Sequence, residues 1–485
     1  MSTLKQQIVH GVLWQGLERF GTLCITFVIN IILARLLTPA QFGIVAIVTA
    51  LIDIATEIID SGFSSALIQK KDTDETDCNS VFYFNLMLCA LMVLLIFPLA
   101  PYIAEFYKKP ELTILTRCIV LSLFFTSFAS IQHTMLVKRM QFHLSFKISW
   151  LAQIPAGFLG IILAYKGFGV WALVAQHLVK NFIRAILLYV FVKWHPQLIF
   201  SFKKLISLFS FGWKILCSNL LVSLSNNMAT MIIGKLFTVE NLSFYQKGRH
   251  LPGLGMNIVS SSLGRVLFPA FSSIQDDKSK LRELARRGIN NIMFLIIPIM
   301  GLLIVIARPF VILLYTEKWL PCVIFLQISC LFFIATPFQS LNQQIMAACG
   351  RSDFLLGLSI FHKLEFIALI VITYRFGIVF MVCCIAINNH FISFIHCLLV
   401  QRLINYSPWK QIQDILPFLL IAACAVAISQ VIRFIPQNNW LLLIAGTTIF
   451  SSIYVGLTAT THQIPEDIRV LISKVTHKIH NIHTC

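Results

Sequence analysis

Helix-length apolar runs recur along the whole of this 485-residue chain. A helix of about 20 apolar residues crosses the hydrocarbon of a bilayer. Such runs lie at 11–33, 42–68, 79–104, 112–136, 147–166, 168–192, 211–237, 249–274, 288–310, 320–348, 354–375, 377–403, 414–433 and 439–459. That is about 14 crossings at the roughly 20 residues each one needs. Only 12% of the residues are charged and 58% are hydrophobic, against about 25% charged in a soluble domain. The expectation is an all-α, polytopic integral membrane protein whose core is the membrane bundle itself.

This patterning excludes several classes of function. No Walker A sequence is present, so ATP hydrolysis by this chain is not expected. No Ser/His/Asp set or HExxH sequence is legible, and an enzyme is not expected. The 13 Cys are scattered through apolar runs, as at Cys24, Cys89, Cys330 and Cys424, without CxxC spacing. They read as small buried hydrophobes, and neither a metal nor a cofactor is expected. The formal net charge of +18 suits loops against anionic lipid, or an anionic substrate. Nucleic acid is a poor partner, because no soluble basic domain exists to bind it. The N-terminal stretch MSTLKQQIVHGVLWQGLERFG lacks the compact apolar core and small-residue site of a cleavable signal.

The second crossing contains LIDIATEIIDSGFSS, with Asp53, Glu57 and Asp60 at i, i+4 and i+7. On a helix they share one stripe. An ionised side chain at the bilayer centre costs roughly 2.5–3.5 kcal/mol, so this stripe cannot face lipid. Two readings are open. The carboxylates pair with basic residues on neighbouring helices, or they line a polar cavity and bind a coupling ion. Asp60 precedes Ser61 and Gly62 and falls close to the end of the span.

Lys and Arg in the loops set the orientation. With the N-terminus inside, inside segments hold about 20 and outside loops about 11, which favours cytoplasmic N- and C-termini. Lys138-Arg139, Lys203-Lys204 and the Lys278–Arg287 loop carry the strongest signals. Internal repetition is also legible. IILARLLTPAQFG at 31–43 resembles IIGKLFTVENLS at 232–243, setting Arg35 over Lys235 and Thr38 over Thr238. Further along, Arg139 falls over Arg351, Gly169 over Gly377, and Asn181 over Asn389. The expected organisation is two six-helix lobes, 1–200 and 201–410, a helix pair at 411–462, and a cytoplasmic tail at 463–485. Six is even, so both lobes insert with the same orientation, as parallel repeats.

Several stretches resemble one known group. They are LARLLTPAQFGIVAI at 33–47, SGFSSALIQKKD at 61–72, GFGVWALVAQ at 167–176, IIGKLFTVENLSFYQKG at 232–248, GRVLFPAFSSIQDD at 264–277 and EKWLPCV at 317–323. They are similar to the polysaccharide-transport branch of the multidrug/oligosaccharidyl-lipid/polysaccharide exporter superfamily, of the colanic-acid and O-antigen flippase type. The likeness runs from about residue 1 to 410. Relatives often carry an acidic residue before the IGK of the seventh helix, where this chain has Ala229.

The resemblance implies a flippase. It implies transport of an undecaprenyl-diphosphate-linked oligosaccharide across the bacterial inner membrane for O-antigen, capsule or exopolysaccharide assembly. Polysaccharide polymerase and glycosyltransferases are the implied partners, besides membrane lipid. Such a cargo needs a wet cavity for its glycan and cations for its two phosphates. Candidate cations are Arg19, Arg117, Lys180, Arg184, Lys214, Arg265 and Lys363. Lys180 and Arg184 are one helical turn apart, on one face. The bland reading is that Lys180, Arg184 and Lys214 snorkel to an interface, and that Arg19 and Lys363 are compensated by Glu18 and Glu365. Two other functions remain in view: a cation-coupled multidrug antiporter of the same superfamily, and a membrane glycosyltransferase or ligase. The appended helix pair argues against the first. The lack of a substantial external loop argues against the second.

Overall fold

The computed structural model describes residues 2–431, 438–461 and 463–470, with backbone alone at 2–15, 17–19, 257–266 and 352. Among these residues every regular element is a helix. The chain forms two compact units, Met1–Ser243 and Phe244–Cys485. The first holds α1 (Ser2–Leu36), α2 (Pro39–Asp60), α3 (Phe63–Gln69), α4 (Glu75–Tyr107), α5 (Glu111–Val120), α6 (Ser122–Phe128), α7 (Ser130–Lys138), α8 (Phe142–Tyr165), α9 (Val170–Phe191) and α10 (Phe202–Leu236). Helix α11 (Val239–Ser272) begins in the first unit and continues into the second. The second holds α12 (Lys278–Tyr315), α13 (Cys322–Ala348), α14 (Ser352–Thr373), α15 (Ile378–Ile404), α16 (Pro408–Ser429) and α17 (Asn439–Thr460).

Twelve helical spans among the described residues are long and apolar enough to cross a bilayer, one of them, Glu111–Phe128, running through α5 and α6. Helices α1, whose apolar part is Phe20–Leu36, and α11 occupy the other two expected positions. The outward faces are apolar, the reverse of a soluble bundle. Leu94 on α4 is 73% exposed, and Tyr102, Val190, Leu364 and Ile372 are likewise exposed. Short turns join α8 to α9 around Gly167–Gly169 and α14 to α15 around Tyr374–Gly377. Gly169 (φ +56°) and Gly377 (φ +94°) precede α9 and α15 in backbone conformations that suit glycine.

Two expected helices are broken, for local reasons. The run at 42–68 stops at Asp60, because Ser61 (φ 50°) and Gly62 (φ +73°) turn left-handed before α3. A Cβ on Gly62 would stand 2.2 Å from the Gly212 carbonyl oxygen, so α10 packs directly on this turn. The run at 112–136 becomes α5, α6 and α7. Its hydroxyls bond back to the helix: Thr126 to the Leu123 carbonyl at 3.0 Å and Ser130 to that of Ser127 at 2.8 Å. Such back-bonding bends helices.

One end of the first unit is tied by charge. Lys70 pairs with the fully buried Asp77 at 2.5 Å. Lys138 donates to the carbonyls of Leu67 (2.8 Å) and Lys70 (2.6 Å), and Lys204 pairs with Asp74. One end of the second unit is tied similarly. Arg286 meets Asp414 at 2.6 Å, Tyr406 donates to Asp414 at 2.6 Å, and Asn291 donates to Asp467 at 2.8 Å.

Candidate functional site

A cavity of about 580 Å³ opens inside the first unit, lined from α2, α6, α9 and α10. Each helix brings polar groups at helical spacing. Helix α2 contributes Asp53, Thr56 and Glu57. Helix α9 contributes His177, Lys180 and Asn181. Helix α10 contributes Asn219, Ser223, Asn226 and Asn227. The α9 set works as one turn, with the His177 ring and the Asn181 amide 3.1 Å apart. Lys180 lies within Coulombic reach of Asp53 across the cavity and of Arg184 along its own helix. Glu57 accepts a hydrogen bond from the Asn219 side chain, which fixes α2 to α10.

The arrangement has two chemical consequences. Water and polar groups have a place inside an otherwise apolar bundle. The one ammonium among the described lining residues, Lys180, also stands in a cavity that holds two carboxylates. A negative group entering beside ionised Asp53 and Glu57 meets repulsion that a proton or cation relieves.

The candidates from sequence separate clearly. Asp53, Glu57 and Lys180 come together in the cavity. Asp60 does not line it. Its carboxylate accepts from Ser64, whose hydroxyl accepts from Thr134 at 3.0 Å, so it joins α2 to α3 and α7. Arg184 follows Lys180 by one turn, within Coulombic reach of His133. Arg117 turns to α4, donating to the Phe97 carbonyl at 3.3 Å with its guanidinium 4.8 Å from that ring. Lys214 is exposed on α10. Lys363 is half-buried on α14, and its neighbour Glu365 accepts from Asn388 at 2.7 Å. The side chains of Arg19 and Arg265 lie outside the described residues.

Sequence reading missed His177 and the amide stripe of α10. The signal was present: Asn219, Ser223 and Asn226/Asn227 repeat every three to four residues in an apolar helix.

A family described as Polysaccharide biosynthesis protein matches residues 32–324, more than half of the chain. The chain belongs to this polysaccharide biosynthesis protein family. Among its relatives is the succinoglycan biosynthesis transport protein ExoT of Rhizobium meliloti (strain 1021), 26% identical over 312 residues. That match covers 64% of this chain and 63% of ExoT, a little under two thirds of the relative's length. The teichuronic acid biosynthesis protein TuaB of Bacillus subtilis (strain 168) is 25% identical, over 79% of this chain and 82% of TuaB. The lipopolysaccharide biosynthesis protein WzxC of Escherichia coli (strain K12) is 23% identical, over 76% of each. Among solved structures, the lipid II flippase MurJ in an inward closed conformation superposes with a TM-score of 0.75 at 14% identity, covering 93% of this chain and 99% of MurJ. An inward-facing MATE transporter of the MOP superfamily gives 0.63 at 18% identity, over 79% and 94%. The family member described here is thus a multi-pass membrane protein with the fold of the MOP superfamily.

Proposed function

We propose that this protein is a flippase for a lipid-linked oligosaccharide, carrying an undecaprenyl-diphosphate-linked glycan across the bacterial inner membrane for surface polysaccharide assembly. The observation that carries the proposal is the polar, charged cavity around Lys180 within an apolar bundle. A glycan diphosphate cannot cross hydrocarbon unaided, whereas its prenyl tail can stay in lipid. Lys180 supplies a point charge to a phosphate oxygen, and the α9 and α10 amides supply hydrogen bonds. Arg184 stands next in line on α9, with Arg19, Arg117, Lys214, Arg265 and Lys363 as further proposed cation positions. The names of ExoT, TuaB and WzxC, all in polysaccharide biosynthesis, support the same cargo class.

Asp53 and Glu57 have a defined part in this scheme. Asp53 faces Lys180 and Glu57 is held by Asn219 while the cavity is empty, and their neutralisation by a proton or a cation accompanies entry of the diphosphate. Two six-helix lobes, divided near residue 200 by the internal repeat, alternate access to the cavity. Both termini lie in the cytoplasm. By helix parity the ends that carry Lys70, Lys138 and Lys204 in the first unit and Arg286 in the second fall on the side of the N-terminus, and the positive-inside rule supports that side as the cytoplasmic one. Polysaccharide polymerase and glycosyltransferases act before and after it.

Deletion of the gene tests the reading directly. The expected result is accumulation of a lipid-diphosphate-linked glycan in the inner leaflet and loss of the surface polymer. Unchanged surface polymer, with no lipid-linked intermediate retained, would sink it.

A further inference from the structure

The second unit has a polar cavity of its own, about 290 Å³, between α13, α14 and α15. Its polar lining is Gln339, Gln343, Gln344, Ser359, His362 and His396, without a carboxylate, Lys or Arg among its lining residues. The hydrogen bonds fix how these groups are presented. His396 Nδ1 lies 2.8 Å from the Ile392 carbonyl and donates to it. That leaves His396 Nε2 as an acceptor, which takes the Gln343 amide at 3.3 Å. The Gln343 carbonyl oxygen then remains as an acceptor directed by its own anchored amide. Gln339 is held likewise, its amide donating to the Asn389 carbonyl (2.7 Å) and side-chain oxygen (3.0 Å). Ser359 donates back to the Leu355 carbonyl at 2.8 Å, so its oxygen lone pairs are free to accept.

Neutral acceptors and donors, pre-set by a second layer of hydrogen bonds, suit hydroxyl groups and not phosphate. An anion gains little from glutamine carbonyls, while a sugar ring presents several O–H groups that donate and accept at once. The size is at the lower end for a ligand cavity, roughly 300 Å³ and upward, and fits one sugar ring. We infer that the α13–α14–α15 cavity is a glycan subsite, in which Gln343, with Gln339, Ser359 and His362, takes the hydroxyls of one uncharged sugar residue of the cargo. The inference rests on the flippase reading and divides the cargo's recognition. The charged cavity of the first unit reads the diphosphate, and the neutral one reads sugar.

The test compares two matched lipids on the full chain in nanodiscs. One is the undecaprenyl-diphosphate-linked glycan extracted from cells lacking this gene, and the other is bare undecaprenyl diphosphate. A third ligand is the free oligosaccharide released from the first by mild acid. Two or three neutral hydrogen bonds correspond to about tenfold tighter binding of the glycosylated lipid. Gln343→Leu and, separately, Ser359→Ala should erase most of that preference while leaving the affinity for bare undecaprenyl diphosphate unchanged. A purely structural role for Gln343 would weaken both lipids together. Equal binding of both lipids by the unmodified protein overturns the inference, and so does a preference that survives both substitutions; either result leaves the flippase reading standing. Failure of both lipids to bind, with Gln343-dependent binding of the free oligosaccharide, would overturn that reading and keep the subsite. Failure of all three ligands would overturn both.

Discussion

The first unit's cavity is lined by Lys180, Asp53 and Glu57 together with amides, and the second unit's by glutamines, histidines and a serine. Both lie in helices that are otherwise apolar, yet they differ greatly in cost. A charge at the bilayer centre costs roughly 2.5–3.5 kcal/mol. A neutral interhelical hydrogen bond inside a membrane protein is worth about 0.6 kcal/mol on average. The internal repeat sharpens the contrast. The alignment that sets Asn181 over Asn389 sets Lys180 over Asn388, which donates to Glu365 at 2.7 Å. Where one lobe has an ammonium, the other has an amide serving a carboxylate. Of these two aligned positions only the first carries a cation, while the second is an amide beside a carboxylate, so the first is the one suited to an anionic group.

The largest effect expected follows from removing that charge. Lys180→Ala should lower transport of the lipid-linked glycan by roughly 10–100-fold, the range of one charge-assisted hydrogen bond at about 1.5–3 kcal/mol. Protein abundance should hold, since Asp53 is left in a wet cavity with amide donors nearby. Lys180→Arg should recover part of the rate, because the site needs a positive charge before it needs a particular shape. Normal surface polymer from the Ala variant would break the assignment of charge to this cavity.

Next in size is the effect of the carboxylate facing Lys180. Asp53→Asn removes the group that competes with a phosphate. Binding of inorganic pyrophosphate to the purified protein should tighten about 3–10-fold, for a screened charge pair of about 1 kcal/mol. Transport into vesicles should at the same time stop responding to an imposed Na⁺ or proton gradient. Loss of the protein itself would instead make Asp53 a structural partner. Unchanged pyrophosphate affinity with an intact gradient response would leave the carboxylate a bystander on the cavity wall.

How much of this was legible in the sequence depends on the kind of information involved. Helix positions were legible, because a bilayer imposes one length and one polarity on every crossing. The interruptions at Ser61-Gly62 and along 121–130 were less so. They arise from a close backbone contact with Gly212 and from hydroxyls returning to their own helix, and neither alters mean hydropathy. The acidic stripe was legible as intramembrane charge, and Asp60 as its member nearest the end of the span, but the partners of each carboxylate were not. Asp53 and Glu57 turn to α9 and α10, whereas Asp60, three residues later, turns to Ser64. Arg117 looked as good a candidate as Lys180, and only the fold sets it against Phe97. The neutral cavity was invisible, since glutamine and histidine in a span raise no alarm of cost.

A neutral contact should behave differently from a charged one. Replacing both Gln339 and Asn389 by Leu removes the amide ladder between α13 and α15. Gln339 donates twice to Asn389, and Asn389 donates to the Phe332 carbonyl, so at about 0.6 kcal/mol for each interhelical hydrogen bond the loss in stability should be about 2 kcal/mol. Pyrophosphate binding should be unaltered. Unfolding in mixed micelles measures the first and calorimetry the second. A change in pyrophosphate affinity would mean that the two cavities are not separable by charge.

The smallest effect expected lies at the helix starts, where each unit has an aspartate cap. Asp74 begins α4, accepting from the Asp77 amide at 2.8 Å and pairing with Lys204. Asp277 begins α12, accepting from the amides of Ser279 and Lys280 at 3.1 Å each. The hydrogen bond from Lys204, then the cap itself, bring the Asp74 carboxyl down to about 2 from its usual value near 3.8. Asp277 is also held below the usual range, chiefly by the Ser279 hydroxyl and the Lys280 amide. A depressed folded-state value stabilises above the unfolded value and ceases to do so as pH falls through the folded one. The contribution of Asp74 is therefore complete above about pH 4 and disappears toward pH 2. The two caps differ in what holds them. Asp74 reaches 130 residues along the chain to Lys204, while Asp277 uses donors within three residues of itself. Salt can screen the Asp74–Lys204 pair and also the 3.2 Å pair of Asp277 with Lys280, but Asp277 is held first by neutral donors, the Ser279 hydroxyl and the Lys280 amide. Asp74→Asn keeps a good cap but loses the pair, so it should flatten the acid limb of the first unit's unfolding at low salt and have little effect at 1 M. Asp277→Asn, which loses only the local pair with Lys280, should show the weaker salt dependence of the two. An acid limb that responds to salt equally in both variants would remove this difference between the units.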